Sequence, residues 1–151
     1  MIWYCDSSAL VKRYVRETGS AWFRREYGQH HLITSALTVA EVPAALARRM
    51  RDGSISAFEF HRGRTQFTRH LRGGQYAILP AASDVIQLAA ILTYQLPLAA
   101  YDGDHLATAV RYLQTSGVDL EQFCFVTADD QLERAAQARG LRTENPNNHV
   151  K

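Results

Sequence analysis

Apolar and polar positions follow two rhythms along this chain of 151 residues. Short apolar runs, IWYC at 2–5, HLITSA at 31–36, YAIL at 76–79 and QFCFVT at 122–127, have the length and composition of buried strands. Between them the apolar positions recur every three or four residues, the spacing of one helix face. Leu10, Val11, Tyr14 and Val15 predict a helix over 8–16, and GSAWFRREYG predicts a short one. TVAEVPAALARRMRDG is helical in pattern, with a glycine placed to end it. Residues 54–72 form a further helix, interrupted in pattern by Gly63. SDVIQLAAILTYQ is a strongly apolar helix opened by Ser83 or Asp84, LAA at 98–100 leads as a short run into Asp102, and helices follow over 103–115 and 130–139. A last strand, LRT, lies at 141–143, and PNNHVK from 146 reads as a frayed tail behind a single domain over 1–145. Strand and helix alternate throughout, without repeats or a linker, which predicts an α/β fold built on a parallel sheet.

In open parallel sheets, ligands bind beyond the carboxyl ends of the strands. Asp6 and Asp129 fall there, each directly after an apolar run, and Asp102 occupies an equivalent junction after LAAY. Helical phase separates the members of each acidic pair. Asp102 shares a face with Leu106, and Asp129 sides with Leu132 and Ala136. Asp104 aligns with Thr108 and Arg111, and Asp130 with Arg134, so the second aspartate of each pair is expected to face water. His105 is expected on the helix surface. Taken singly, Asp6, Asp102 and Asp129 also read as helix N-caps, and Asp130 with Glu133 as a capping box. Taken together, three inward carboxylates at one sheet edge repel one another and require a proton, an arginine or a metal ion. A hard divalent cation with oxygen ligands meets that need.

Overall charge adds little until it is mapped. The net value is only +2, yet residues 48–72 hold seven arginines against two acids, which leaves the rest of the chain at −3. Arginine presents a planar fork suited to phosphate. With Phe58, Phe60, Phe67, His61 and His70 interleaved, the segment is a candidate nucleic-acid surface, Arg48, Arg49, Arg51, Arg62 and Arg64 being the contacts proposed from sequence. Cys5 and Cys124 each sit inside an apolar run and read as reduced core residues, which implies a cytoplasmic protein. No apolar stretch has the roughly 18 residues that a membrane span needs, and the N-terminus reaches a carboxylate too early for a signal peptide.

Four blocks, WYCDSSALVKRYVRE, TSALTVAEVPAALARR, LPLAAYDGDHLATAV and FVTADDQLERAAQARGL, in that order and spacing, resemble the PIN-domain nucleases, and among them the VapC-like toxins of bacterial toxin–antitoxin pairs. The resemblance spans nearly the whole chain and is weakest over 54–80. It implies a three-layer α/β/α fold with a central parallel sheet and an acidic pocket that binds Mg²⁺ or Mn²⁺, as one ion or two, and cleaves RNA. The family's four acids fall on Asp6, Glu41, Asp102 and Asp129, with Ser8 and Thr127 where a polar residue stands beside the metal. Position 104 is usually apolar in that motif and is an aspartate here, which leaves Asp104 room to adjust the pocket. The resemblance further implies an antitoxin partner and a second copy of the chain, with no membrane association. Trp3, Trp22 and Phe23 offer themselves for a dimer face, although such residues are more often core.

Glu41 is where resemblance and residue physics part. Thr38 and Glu41 spell a capping box, and helical phase groups Glu41 with Arg48, away from Val39, Leu46 and Met50, with Pro43 placed to distort the turn. Two rivals stand beside the nuclease reading. One is a binding module with a metal-poor pocket, acting through its partner or by holding nucleic acid. The other is phosphotransfer chemistry, which fails on Ser8 where a D-x-D motif needs its second acid and on the absence of a late lysine other than Lys151.

Overall fold

The structure, a computed structural model, describes residues 1–150. Five strands form one all-parallel sheet: β1 (Ile2–Cys5), β2 (His31–Ser35), β3 (Ala77–Leu79), β4 (Phe123–Val126) and β5 (Thr143–Glu144), in the order β3-β2-β1-β4-β5. Seven helices connect them: α1 (Ser7–Leu10), α2 (Ser20–Glu26), α3 (Thr38–Arg51), α4 (Ala57–Arg72), α5 (Ser83–Gln95), α6 (Ala100–Ser116) and α7 (Asp130–Ala138). The chain builds outward from β1 to β3, then crosses back to β4 on the other side of β1. That reversal opens a crevice between the ends of β1 and β4.

Strand alternation sends side chains into two cores. Trp3, Cys5, Cys124 and Val126 face a core shared with α2, α3 and α4, whereas Tyr4, Phe123 and Phe125 face one shared with α5, α6 and α7. This is the expected three-layer α/β/α arrangement. Trp3, Trp22 and Phe23 lie in the first core, with the two indole rings stacked at 5.6 Å. Cys5 and Cys124 are buried thiols, and among the described residues no helix is long and apolar enough to cross a membrane.

Several elements differ from expectation. The predicted helix over 8–16 stops after one α-turn and tightens into a 3₁₀ turn at Val11–Arg13. Its end is tied down by charge: Lys12, itself buried, and Arg49 of α3 both donate to Glu17, at 2.9 Å each. Helix α4 runs unbroken through Gly63, and α5 starts without a side-chain cap from Ser83 or Asp84. Residues 98–99 are not a strand, because α6 begins at Ala100 and already contains Asp102. The last strand lies two residues beyond the expected start. The expected frayed tail is instead ordered through His149: Pro146–Asn148 form a 3₁₀ turn, His149 stacks on Trp22 at 4.0 Å, and Pro146 lies so close to Gly19 (φ +81°) that a Cβ there would meet its carbonyl at 2.5 Å.

Helices α5 and α6 set the position of Asp102, and their contact runs through Gly103. A Cβ on Gly103 would lie 2.5 Å from Thr93 Cγ2 and 3.3 Å from the Ala89 carbonyl. Gly103→Ala is therefore expected to lower unfolding free energy by about 1–3 kcal/mol, the usual cost of overpacking. Adding Thr93→Ser, which removes the opposing methyl, is expected to return most of that loss in a denaturant titration.

Candidate active site

The crevice edge is acidic by construction. Asp6 follows β1 directly and caps α1, with Oδ1 accepting from the Ala9 amide at 3.0 Å. It is buried to 3% exposure, and its second oxygen accepts from Thr127 Oγ1 at 2.8 Å. Ser8 Oγ lies 2.8 and 2.9 Å from the two carboxylate oxygens and itself accepts from the Ala128 amide at 2.9 Å. Ser8 and Thr127 therefore bridge β1 to the end of β4 through one carboxylate. Burial raises the Asp6 pKa, and His105 together with these donors offsets part of that rise. Asp129 ends the loop after β4 and caps α7 through Oδ1, which accepts from the Leu132 amide at 2.9 Å. The N-cap reading thus holds for both residues. Asp130 is exposed and bonds Asn145 rather than forming a capping box.

Asp102 sits in the first turn of α6, half-buried, and among the described residues nothing donates a hydrogen bond to its side chain. It is not a cap, since Ala99 holds that position. Burial, then the charges of Asp129 and Asp6, push its pKa up to about 6; His105 opposes the rise and Glu41 adds to it. The four acids therefore share one electrostatic neighbourhood. Glu41 is part of it, contrary to its helical phase. Thr38 does not cap α3 but bonds Thr34 at 2.7 Å, and the buried face of α3 is Thr38, Val42, Ala45 and Leu46, while Val39 is exposed. Glu41 borders that face, and its Oε1 lies 2.6 Å from His105 Nε2.

Two expectations are overturned on α6. Asp104 does not face water but is 3% exposed; Oδ2 accepts from Ser35 Oγ at 3.0 Å, and Oδ1 is buried without a partner. His105 is not a surface residue either but is 1% exposed, with Nδ1 2.9 Å from the Tyr4 hydroxyl. Burial alone would lower its pKa, but the hydrogen bond to Glu41 and the charges of Asp6, Glu41 and Asp104 outweigh burial and raise it. Both errors have one cause. Residues Gly103–Val110 are buried in succession, so α6 has no water face along that stretch, and an amphipathic reading misassigns every polar residue in it. The sequence signal was the unbroken run of small and apolar residues around Asp104 and His105.

The arginine segment is mixed. Arg49 is held by Glu17 and the Ala45 carbonyl, so it is not a free phosphate ligand. Arg48 and Arg51 are exposed near the end of α3. On α4, Arg62, Arg64, Arg69 and Arg72 are exposed and make no ion pair or hydrogen bond among the described residues, and Arg62 lies 5.9 Å over the exposed Phe58 ring.

Every uncommitted donor in the acidic crevice is a carboxylate oxygen. Asp102 offers both, Glu41 its Oε2 and Asp129 its Oδ2, while both His105 nitrogens are engaged and the two thiols are in the core. That set fits a hard divalent cation, not a zinc-type nitrogen–sulfur site. Among the described residues no three His, Cys, Asp or Glu side chains stand close enough together to form a metal-holding group, so an ion here needs water or phosphate oxygens to complete its coordination. In the metal-free protein Asp102 is expected to titrate near pH 6 by carboxyl carbon NMR, and Asp129→Asn to lower that value. Because the folded pKa is raised, the Asp102 contribution to stability is present at low pH and is lost as pH rises from about 4 to about 6.

No family model matches the chain. Solved structures at 20% identity or less share its fold, among them the following three. FitAcB from Neisseria gonorrhoeae superimposes with a TM-score of 0.59 over 97% of this chain and 98% of its own. A toxin–antitoxin complex from Klebsiella pneumoniae gives 0.60 at 17% identity, over 95% and 96%. VapBC2 from Rickettsia felis bound to a promoter DNA fragment gives 0.62 at 14% identity, over 96% and 98%. Sequence similarity reaches further with Ribonuclease VapC46 of Mycobacterium tuberculosis, 37% identical over 140 residues that span 91% of this chain and 92% of that protein. With an acidic crevice at the switch point of a PIN fold and that degree of identity along almost its whole length, the chain belongs to the VapC ribonuclease family.

Proposed function

We propose that the protein is a divalent-cation-dependent endoribonuclease, the toxin of a toxin–antitoxin pair, with Asp6, Glu41, Asp102 and Asp129 as its working acids and Mg²⁺ or Mn²⁺ as its cofactor. The observation that carries this reading is Asp102, half-buried, without a hydrogen-bond donor and opposed by the charges of Asp129, Asp6 and Glu41. A carboxylate so placed calls for a counter-charge.

The uncommitted oxygens of Asp102, Glu41 and Asp129 would hold the cation, with Asp6 behind them. When bound, it supplies Lewis acidity toward phosphate oxygens and water. The chain's own residues do the rest. Asp6 is anchored by Ser8, Thr127 and the Ala9 amide, which fixes the floor of the crevice and joins β1 to β4. Asp102 accepts a hydrogen bond from the attacking water and takes its proton as the water oxygen bonds to phosphorus and the ester P–O bond breaks, the leaving oxygen taking a proton from solvent, while Glu41 Oε2 is kept for the cation. Asp104, held by Ser35 Oγ and within the electrostatic reach of His105 and Glu41, adjusts that end of the pocket. Arg48 and Arg51, with Arg62, Arg64, Arg69 and Arg72 on α4, guide the RNA backbone. Exposed Phe58 beside Arg62 offers a ring for a base. Structures of toxin–antitoxin complexes among the neighbours support an antitoxin partner for this chain, and a second copy of the chain completes the proposed assembly.

The test is cleavage of a mixed RNA pool by partner-free, metal-stripped protein. Mg²⁺ or Mn²⁺ is expected to restore activity that EDTA removes. Asp6→Asn and Asp102→Asn are each expected to lower the rate at least about 10²-fold, the scale of losing one preorganised electrostatic group. Cleavage that persists in EDTA or in both variants overturns the proposal. Separately, combining Arg64→Gln, Arg69→Gln and Arg72→Gln is expected to flatten the log–log salt dependence of RNA binding by about 2, three phosphate contacts on a single strand.

A further inference from the structure

His105 is the one buried histidine of α6, and each of its ring nitrogens has a partner on a different layer of the fold. Nδ1 meets the hydroxyl of Tyr4, a fully buried residue of β1 two positions before Asp6. Nε2 meets Oε1 of Glu41, in the first turn of α3, at 2.6 Å. The contact is a donor contact in either protonation state. If the ring is neutral, the Tyr4 hydroxyl donates to Nδ1 and the remaining N–H, on Nε2, donates to Glu41. If the ring is charged, both nitrogens carry hydrogen, and Nε2 still donates to Glu41.

We propose that His105 is a positioning residue: through Nε2–H it holds the Glu41 carboxylate inside the acidic crevice, with Oε1 occupied and Oε2 turned free for the cation. The assignment rests on the ribonuclease reading for what Glu41 then does. Its structural part stands on geometry. Glu41 has three side-chain torsions, sits at the margin of the buried face of α3, and is repelled by Asp102 and its neighbours. Among the described residues nothing else donates to its carboxylate. Without the imidazole, torsional freedom and like-charge repulsion both favour the carboxylate swinging out to solvent. With it, Glu41 is fixed against a ring that is itself immobilised by Tyr4 and by the packing of α6. Partners of this kind, which orient a ligand without touching the ion, commonly change metal affinity by about 10–100-fold when lost.

The experiment uses the full chain and reads Mn²⁺ affinity by calorimetry beside RNA cleavage, with thermal unfolding as the check on folding. His105→Leu fills the space without a donor and is expected to weaken Mn²⁺ binding by about 10–100-fold. His105→Gln keeps an N–H near the position of Nε2 and is expected to recover binding to within a few-fold of wild type. If His105 acts only through Glu41, the double variant His105→Leu/Glu41→Gln binds Mn²⁺ no more weakly than Glu41→Gln alone. Wild-type affinity in folded His105→Leu, or full additivity of the two losses, overturns the assignment.

A readout free of metal covers the case in which His105→Leu does not fold. The Nε2 proton of His105 is expected as a deshielded, slowly exchanging NMR signal in the wild type that disappears or shifts strongly upfield in Glu41→Gln. A wild-type spectrum without it, or one unchanged by Glu41→Gln, overturns the assignment. Wild-type protein that neither binds Mn²⁺ nor cleaves RNA overturns the ribonuclease reading instead, and the imidazole proton still decides whether His105 holds Glu41.

Discussion

Negative charge buried at the carboxyl edge of the sheet is the constraint around which this molecule is arranged. A carboxylate as buried as Asp6 is tolerable only when its oxygens are met by donors. The chain supplies them from two distant places, the Ser8–Ala9 turn and Thr127 beyond β4. The same bonds that satisfy Asp6 lock the first strand to the fourth at the point where the sheet order reverses. Stability of the central strands and construction of the crevice are thus one set of interactions. The buried imidazole of His105 belongs to that set, since its proximity favours ionised Asp6 and Asp102 alike.

The acids divide by how much freedom they keep. Asp6 is fully engaged, and Asp129 spends one oxygen as a helix cap. Asp6 follows β1 directly and its amide bonds the Val126 carbonyl, whereas Asp129 ends the loop between β4 and α7, where its amide bonds Thr127 Oγ1. Asp102 and Glu41 ride on the first turns of long helices, where the positive end of the helix dipole favours a carboxylate. They retain open oxygens. A rigid floor with more open walls is suited to an ion whose coordination is partly water and changes when phosphate arrives.

How far the sequence discloses this depends on the kind of packing each residue meets. Asp6 and Asp129 were legible because a strand run ends at them, and strand ends are sharply marked by composition. Helical phase worked for α7, which has a water face, and kept Asp130 out of the crevice. It failed on α6, which is enclosed by the sheet and neighbouring helices: Asp104 and His105 were assigned to water because an amphipathic pattern was assumed where none exists. It failed on α3 for a different reason. Helical phase counts Val39 as a core position, but Val39 is exposed, and the true buried face of α3 lies nearer Glu41. The family resemblance groups Glu41 with the three aspartates, but neither periodicity nor resemblance singles out His105, whose two side-chain partners lie 101 and 64 residues away in the chain.

An acidic crevice that acts on a polyanion faces an electrostatic contradiction, and the chain resolves it by separating the charges within one connected segment. Helix α3 begins with Glu41 in the crevice, and after a short turn α4 presents unpaired arginines on its exposed face. Exposed charges more than about 8 Å apart are largely screened from one another at physiological salt. In the proposed function the arginines attract phosphate, and the acids repel it unless a cation offsets their charge. On the proposed reading, ionic strength governs RNA binding and the divalent ion governs hydrolysis. The polarity seen in the sequence, +5 over residues 48–72 against −3 elsewhere, is the imprint of that division.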